Sequence, residues 1–124
     1  MFELKVTGAF EAAHRLENYS GKCSRLHGHN WTVEAKVAGK KLNQTGMLID
    51  FKILKSELKK VLDEFDHRYL NELKIFETEN PTAENLSRII FEKFSRSEIF
   101  QGSARLKSIT VFETPGSGVT YYPD

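Results

Sequence analysis

The sequence has one cysteine, almost no net charge and no long apolar run, and each absence excludes something. A single cysteine, Cys23, cannot close an internal disulfide, and a lone thiol is at risk of oxidation outside the cell, so the expected compartment is the cytosol. Lysine and arginine number 18 against 17 acidic residues, a formal net charge of +1. No field of that size attracts nucleic acid or an anionic membrane, so neither is expected as a partner. No stretch reaches the ~18 apolar residues of a membrane helix. The opening Met1-Phe2-Glu3-Leu4-Lys5-Val6 alternates charged and apolar groups, unlike the continuous apolar region of a signal peptide. Repeats, low-complexity tracts and linkers are missing, and 124 residues suit one domain over 1–124 with one core.

What is present concentrates in one stretch. Cys23-Ser24-Arg25-Leu26-His27-Gly28-His29-Asn30 holds three of the five nitrogen or sulfur side chains able to bind a transition metal, the others being His14 and His67. One residue separates His27 from His29, so in an extended chain both imidazoles leave the same face. Two such nitrogens suit Zn²⁺, and a catalytic zinc site needs one further protein ligand and an open position.

Strand periodicity supplies the third ligand. Phe2, Leu4 and Val6 share a parity that runs on through Gly8, Phe10 and Ala12 to His14, opposite Glu3, Lys5 and Thr7. After a loop of about a dozen residues, His27, His29, Trp31, Val33, Ala35 and Val37 share the apolar parity of a second strand, opposite Asn30, Thr32, Glu34 and Lys36. Consecutive strands usually pair antiparallel, which brings the end of the first beside the start of the second. His14 is thereby expected to meet His27 and His29.

The segment 38–49, with Gly39, Asn43 and Gly46, reads as a loop with turns. Asp50 caps a helix with an apolar stripe of Phe51, Leu54, Leu58, Val61, Leu62 and Phe65. The lysines Lys52, Lys55, Lys59 and Lys60 form its solvated side, and the helix runs out at Asp66-His67-Arg68-Tyr69-Leu70-Asn71. Asn80-Pro81-Thr82 starts a second helix with Leu86, Ile89, Ile90 and Phe94 buried. Strands are expected again at Leu106 to Phe112 and Val119 to Tyr122, joined by the turn at 114–118. Glu113 shares the parity of Ile109 and Val111, as a cap near the turn or a ligand-binding carboxylate.

Five motifs in order, Phe10-Glu11-Ala12-Ala13-His14-Arg15-Leu16, Cys23-x-x-x-His27-Gly28-His29, Asp66-His67-x-Tyr69-Leu70-Asn71, Asn80-Pro81-Thr82 and Glu113-Thr114, resemble the 6-pyruvoyltetrahydropterin synthase family over nearly the whole chain. The three-residue spacer after Cys23 resembles the branch in bacteria and archaea that forms a carboxypterin for queuosine biosynthesis. The resemblance implies an α+β tunnelling fold, a four-stranded antiparallel sheet with two helices packed on one face. It also implies a homohexamer whose active sites lie at subunit interfaces, so that Cys23, Asp66-His67 and Glu113 need not converge within one chain. The implied substrate is 7,8-dihydroneopterin triphosphate, and the implied products are 6-carboxy-5,6,7,8-tetrahydropterin, acetaldehyde and triphosphate.

By the same resemblance His14, His27 and His29 hold Zn²⁺, Cys23 abstracts a proton, Asp66 orients His67 as the partner of Cys23, and Glu113, with Thr114, binds the pterin. Glu113 is also implied in the proton relay. A pyruvoyl product is the alternative within the family. Outside it stand a closed Cys-His₃ zinc module with no catalysis and a metal-free hydrolase using Cys23 and His67.

Overall fold

A computed structural model describes all residues, 1–124. The first strand, β1 (Phe2–His14), and the second, β2 (His27–Gly39), pair antiparallel along their whole length, from Phe2 opposite Gly39 to His14 opposite His27. The alternation in both strands is the cause: a slip of one residue would turn every core side chain to solvent, so a single register is favoured. Val6, Phe10, Ala12 and His14 face inward from β1, and Trp31, Val33, Ala35 and Val37 from β2.

Helix α1 (Phe51–Leu62) follows, with the Asp50 carboxylate accepting from the Lys52 amide at its N-terminus. It buries Leu54, Leu58 and Leu62 against β1. Gly8 lies beneath this contact: a Cβ there would stand 2.8 Å from Leu62 Cδ1, so the missing side chain permits the helix's close approach. Phe51 departs from the expected stripe and is 53% exposed. It lines a shallow apolar groove with Phe2, Leu42 and Met47 instead of entering the core.

Helix α2 (Ala83–Phe94) is capped by Thr82, whose hydroxyl accepts from the Asn85 amide, and buries Leu86, Ile89, Ile90 and Phe94. It packs across β4 (Arg105–Thr114) and β5 (Ser117–Tyr121), an antiparallel hairpin in which β4 pairs with β2. Both helices contribute to one continuous core with the apolar parity of the strands.

The sheet corrects the four-stranded antiparallel expectation. It has five strands, in the order β3-β1-β2-β4-β5, where β3 is the dipeptide Arg68–Tyr69, paired parallel to Ala12–Ala13. The sheet is therefore mixed. A two-residue strand is too short to carry an alternating pattern, and its pairing depends on where the turn after α1 delivers it. That turn buries Phe65, which completes the apolar stripe beyond the helix's last residue, Leu62.

Candidate metal centre

The register of β1 against β2 sets His14 opposite His27 and Ala12 opposite His29, so the three imidazoles gather at one end of the strand pair. Their ring centroids lie 4.5 Å (His14–His27), 5.2 Å (His14–His29) and 4.8 Å (His27–His29) apart, each pair edge to face. Trp31 forms the floor, 5.0 Å from His14 and 5.2 Å from His29, and its Nε1–H donates to the Ala12 carbonyl at 3.2 Å. Glu113, at the end of β4, completes a group of four side chains with one ligand atom each, all within 4.8 Å of one another. Cys23 is not in that group.

Two backbone carbonyls decide which nitrogens face the centre. His14 Nδ1 lies 2.8 Å from the Pro81 carbonyl, and His27 Nδ1 lies 2.7 Å from the Arg25 carbonyl. A carbonyl only accepts, so Nδ1 carries the proton in both rings and Nε2 keeps a lone pair. His14 Nε2 and His29 Nε2 are buried without a hydrogen-bond partner. His29 Nε2 approaches Glu113 Oε1 to 2.8 Å, and His14 Nε2 approaches the same oxygen to 3.9 Å, in both cases without hydrogen-bonding geometry.

Burial pushes His14 below the ordinary imidazole value of 6.5, aided by His27 and His29 and opposed by the Pro81 carbonyl and Glu113. Burial lowers His29 as well, with Glu113 opposing. Both effects favour the neutral ring that a metal requires. With orphaned Nε2 atoms, carbonyls holding the opposite nitrogens and Glu113 beside them, the three imidazoles could hold a metal ion.

Asp66 and His67 lie on the far side of β1. Asp66 Oδ1 accepts from the Glu11 amide at 2.9 Å, while Oδ2 stands 3.1 Å from His67 Nδ1. The Glu11 amide is the main reason that the Asp66 carboxyl titrates below its usual range, with His67 adding to it. The His67 amide donates to the Glu11 carbonyl at 2.6 Å, and Glu11 Oε2 approaches His67 Nε2 to 3.3 Å. His67 adopts φ 58°, a left-handed conformation uncommon outside glycine, and its bond to Glu11 helps to hold it there. Glu11, His29, Asn30, His67 and Arg68 line an open cavity of about 630 Å³ whose wall does not include Cys23.

Cys23 is half-buried in a short turn, Lys22–Ser24, and its carbonyl accepts from the Leu16 amide at 2.7 Å. Thr114 ends β4, exposed and paired with Ser117. Glu113 thus joins the histidines within one chain, whereas Asp66-His67 belongs to a cavity that Cys23 does not border. Sequence reasoning missed Glu11 and the carbonyls of Arg25 and Pro81. Glu11 lies beside Ala12 and His14 with nothing in the sequence to mark its partner, and a carbonyl has no side-chain signature.

Residues 3–124 match the family model described as 6-pyruvoyl tetrahydropterin synthase, and the chain belongs to that family. It is 38% identical over 119 residues to 6-carboxy-5,6,7,8-tetrahydropterin synthase of Synechocystis sp., with 92% of this chain and 88% of the relative covered. The Bacillus subtilis protein of the same name is 34% identical, with 98% of this chain and 86% of that one covered. Among solved structures, 6-pyruvoyl tetrahydropterin synthase of Caenorhabditis elegans superposes with a TM-score of 0.86 at 34% identity, covering 99% of this chain and 96% of that one.

Proposed function

We propose that the protein is a zinc-dependent lyase that converts 7,8-dihydroneopterin triphosphate to 6-carboxy-5,6,7,8-tetrahydropterin, acetaldehyde and triphosphate, a step of queuosine biosynthesis in the cytoplasm. The observation that carries this reading is the trio His14, His27 and His29, with two nitrogens protonated onto carbonyls, in a chain whose relatives bear that enzyme's name. Zinc held by His14, His27 and His29 would supply Lewis acidity, which favours loss of a proton from a carbon beside a polarised oxygen.

The chain's own residues do the rest. Cys23 takes the proton as a thiolate, and His67, oriented by Asp66 at 3.1 Å, is its partner base. Glu113 accepts two parallel hydrogen bonds from the amino and amide edge of the pterin, beside Thr114, and contributes to the proton relay. The assembly is a homohexamer in which a neighbouring subunit's Asp66-His67 faces Cys23, which accounts for the thiol's separation from the His67 cavity within one chain.

The likeness to the worm pyruvoyl enzyme favours one alternative, a pyruvoyl product from the same substrate. Mass analysis of products formed by zinc-loaded protein from 7,8-dihydroneopterin triphosphate separates the two. Acetaldehyde with a carboxypterin is the expected result; a pyruvoyl pterin selects the alternative.

A further inference from the structure

Beyond His14 the strand ends: Arg15 and Leu16 belong to no strand or helix, and Glu17 opens a turn. Two asparagine side chains take a strand's place. The Arg15 amide donates to Asn71 Oδ1 at 2.9 Å, and Asn71 Nδ2 donates back to the Arg15 carbonyl at 3.0 Å. Glu17 makes the same pair with Asn80: its amide donates to Oδ1 at 2.9 Å, and Nδ2 donates to its carbonyl at 2.9 Å. A primary amide has an acceptor and a donor side by side, so each asparagine copies the two-bond exchange of an antiparallel rung.

Leu16, between the two clamped residues, donates its N–H to the Cys23 carbonyl at 2.7 Å. Both clamps are themselves anchored. Asn71 follows β3, whose pairing with Ala12–Ala13 runs at the same offset as the Asn71–Arg15 contact, 56 residues. Asn80 is tied to α2, because Asn85 Nδ2 donates to its carbonyl at 2.8 Å.

We propose that Asn71 and Asn80 are positioning residues for Cys23: they hold residues 15–17 in place, and Leu16 passes that placement to the thiol-bearing turn. The consequence for turnover rests on the proposed function, in which Cys23 is the base. No other side-chain type does this equally well at these positions. Aspartate keeps the bond from the backbone amide but sets a carboxylate oxygen against the backbone carbonyl, glutamine is one methylene too long, and alanine makes neither bond.

The test uses the zinc-loaded full-length protein carrying Asn71→Ala, Asn80→Ala, both together, and Asn80→Asp. Iodoacetamide reports on the thiol without ambiguity, because Cys23 is the only cysteine. Loss of the two clamps should speed its alkylation by about tenfold or more, as the freed turn opens. On 7,8-dihydroneopterin triphosphate, kcat should fall on the order of 10- to 100-fold, with KM and zinc content near wild type. Asn80→Asp should lie between wild type and Asn80→Ala in both readings.

Wild-type alkylation and kcat in the folded double variant would overturn the proposal. So would zinc content and KM worsening in step with kcat, the mark of a general structural role. If the double variant fails to fold, the single variants carry the same readings. A wild-type protein inactive on this substrate would refute the proposed function, and the alkylation rates would still decide whether the asparagines position the thiol.

Discussion

Glu113 Oε1 stands 2.8 Å from His29 Nε2, because β4 pairs with β2 up to Phe112 opposite Thr32 and the next side chain inward reaches the histidine group. A carboxylate so placed can act as a fourth ligand or turn to a substrate, and one pair of variants separates the two. His29→Ala should lose most of the bound zinc while its circular dichroism stays that of the folded protein. Glu113→Gln should keep zinc near wild type and bind pterin at least tenfold more weakly, since an amide offers one acceptor where a carboxylate offers two, at about 1.5–3 kcal/mol for a charged hydrogen bond. Zinc loss as severe as in His29→Ala would make Glu113 a ligand; unchanged pterin affinity would remove it from the pterin site.

The base is tested by Cys23→Ala and Cys23→Ser. Both should retain zinc and bind pterin, yet lose turnover by about 10²–10⁴, the usual contribution of a general base. Cys23→Ala with full zinc and near-normal turnover would show that another group takes the proton.

Acid sensitivity follows from the histidines. His14 and His29 are both lowered from 6.5 in the folded chain, chiefly by burial, so below that value the unfolded chain binds more protons than the folded one. Stability contributed by these rings is therefore complete above about 6.5 and is lost as pH falls toward their folded values. Denaturant midpoints of the metal-free protein should drop between about pH 7 and pH 5, and less so in a His14→Phe His29→Phe double variant. Zinc affinity should fall over the same range, since protons compete for the lone pairs.

The helix cap supplies a variant remote from the histidine group. Asp50→Ala removes the acceptor of the Lys52 amide and should cost about 0.5–2 kcal/mol in chemical denaturation. Zinc stoichiometry should be unchanged. A cost well outside that range would mean that Asp50 does more than cap α1.

Read alone, the sequence determined which residues share a face. Two-residue periodicity placed His14, His27 and His29 inward, antiparallel pairing brought them to one end, and the Asp50 and Thr82 caps marked both helix starts within a residue. These are local properties: a pleated strand or a helical turn repeats over a few residues and leaves its period in the side chains. Tertiary structure alone decided the rest. The parallel pairing of Arg68–Tyr69, the exposure of Phe51, the approach of Glu113 to His29 and the tautomers set by the Arg25 and Pro81 carbonyls all depend on where separate elements meet. Asn71 and Asn80 read in sequence as the end of one helix and the start of another, yet each clamps a backbone segment more than 50 residues away. The reason is physical: a side-chain amide bonds to peptide groups regardless of the residue that carries them, so its partner leaves no mark in the sequence.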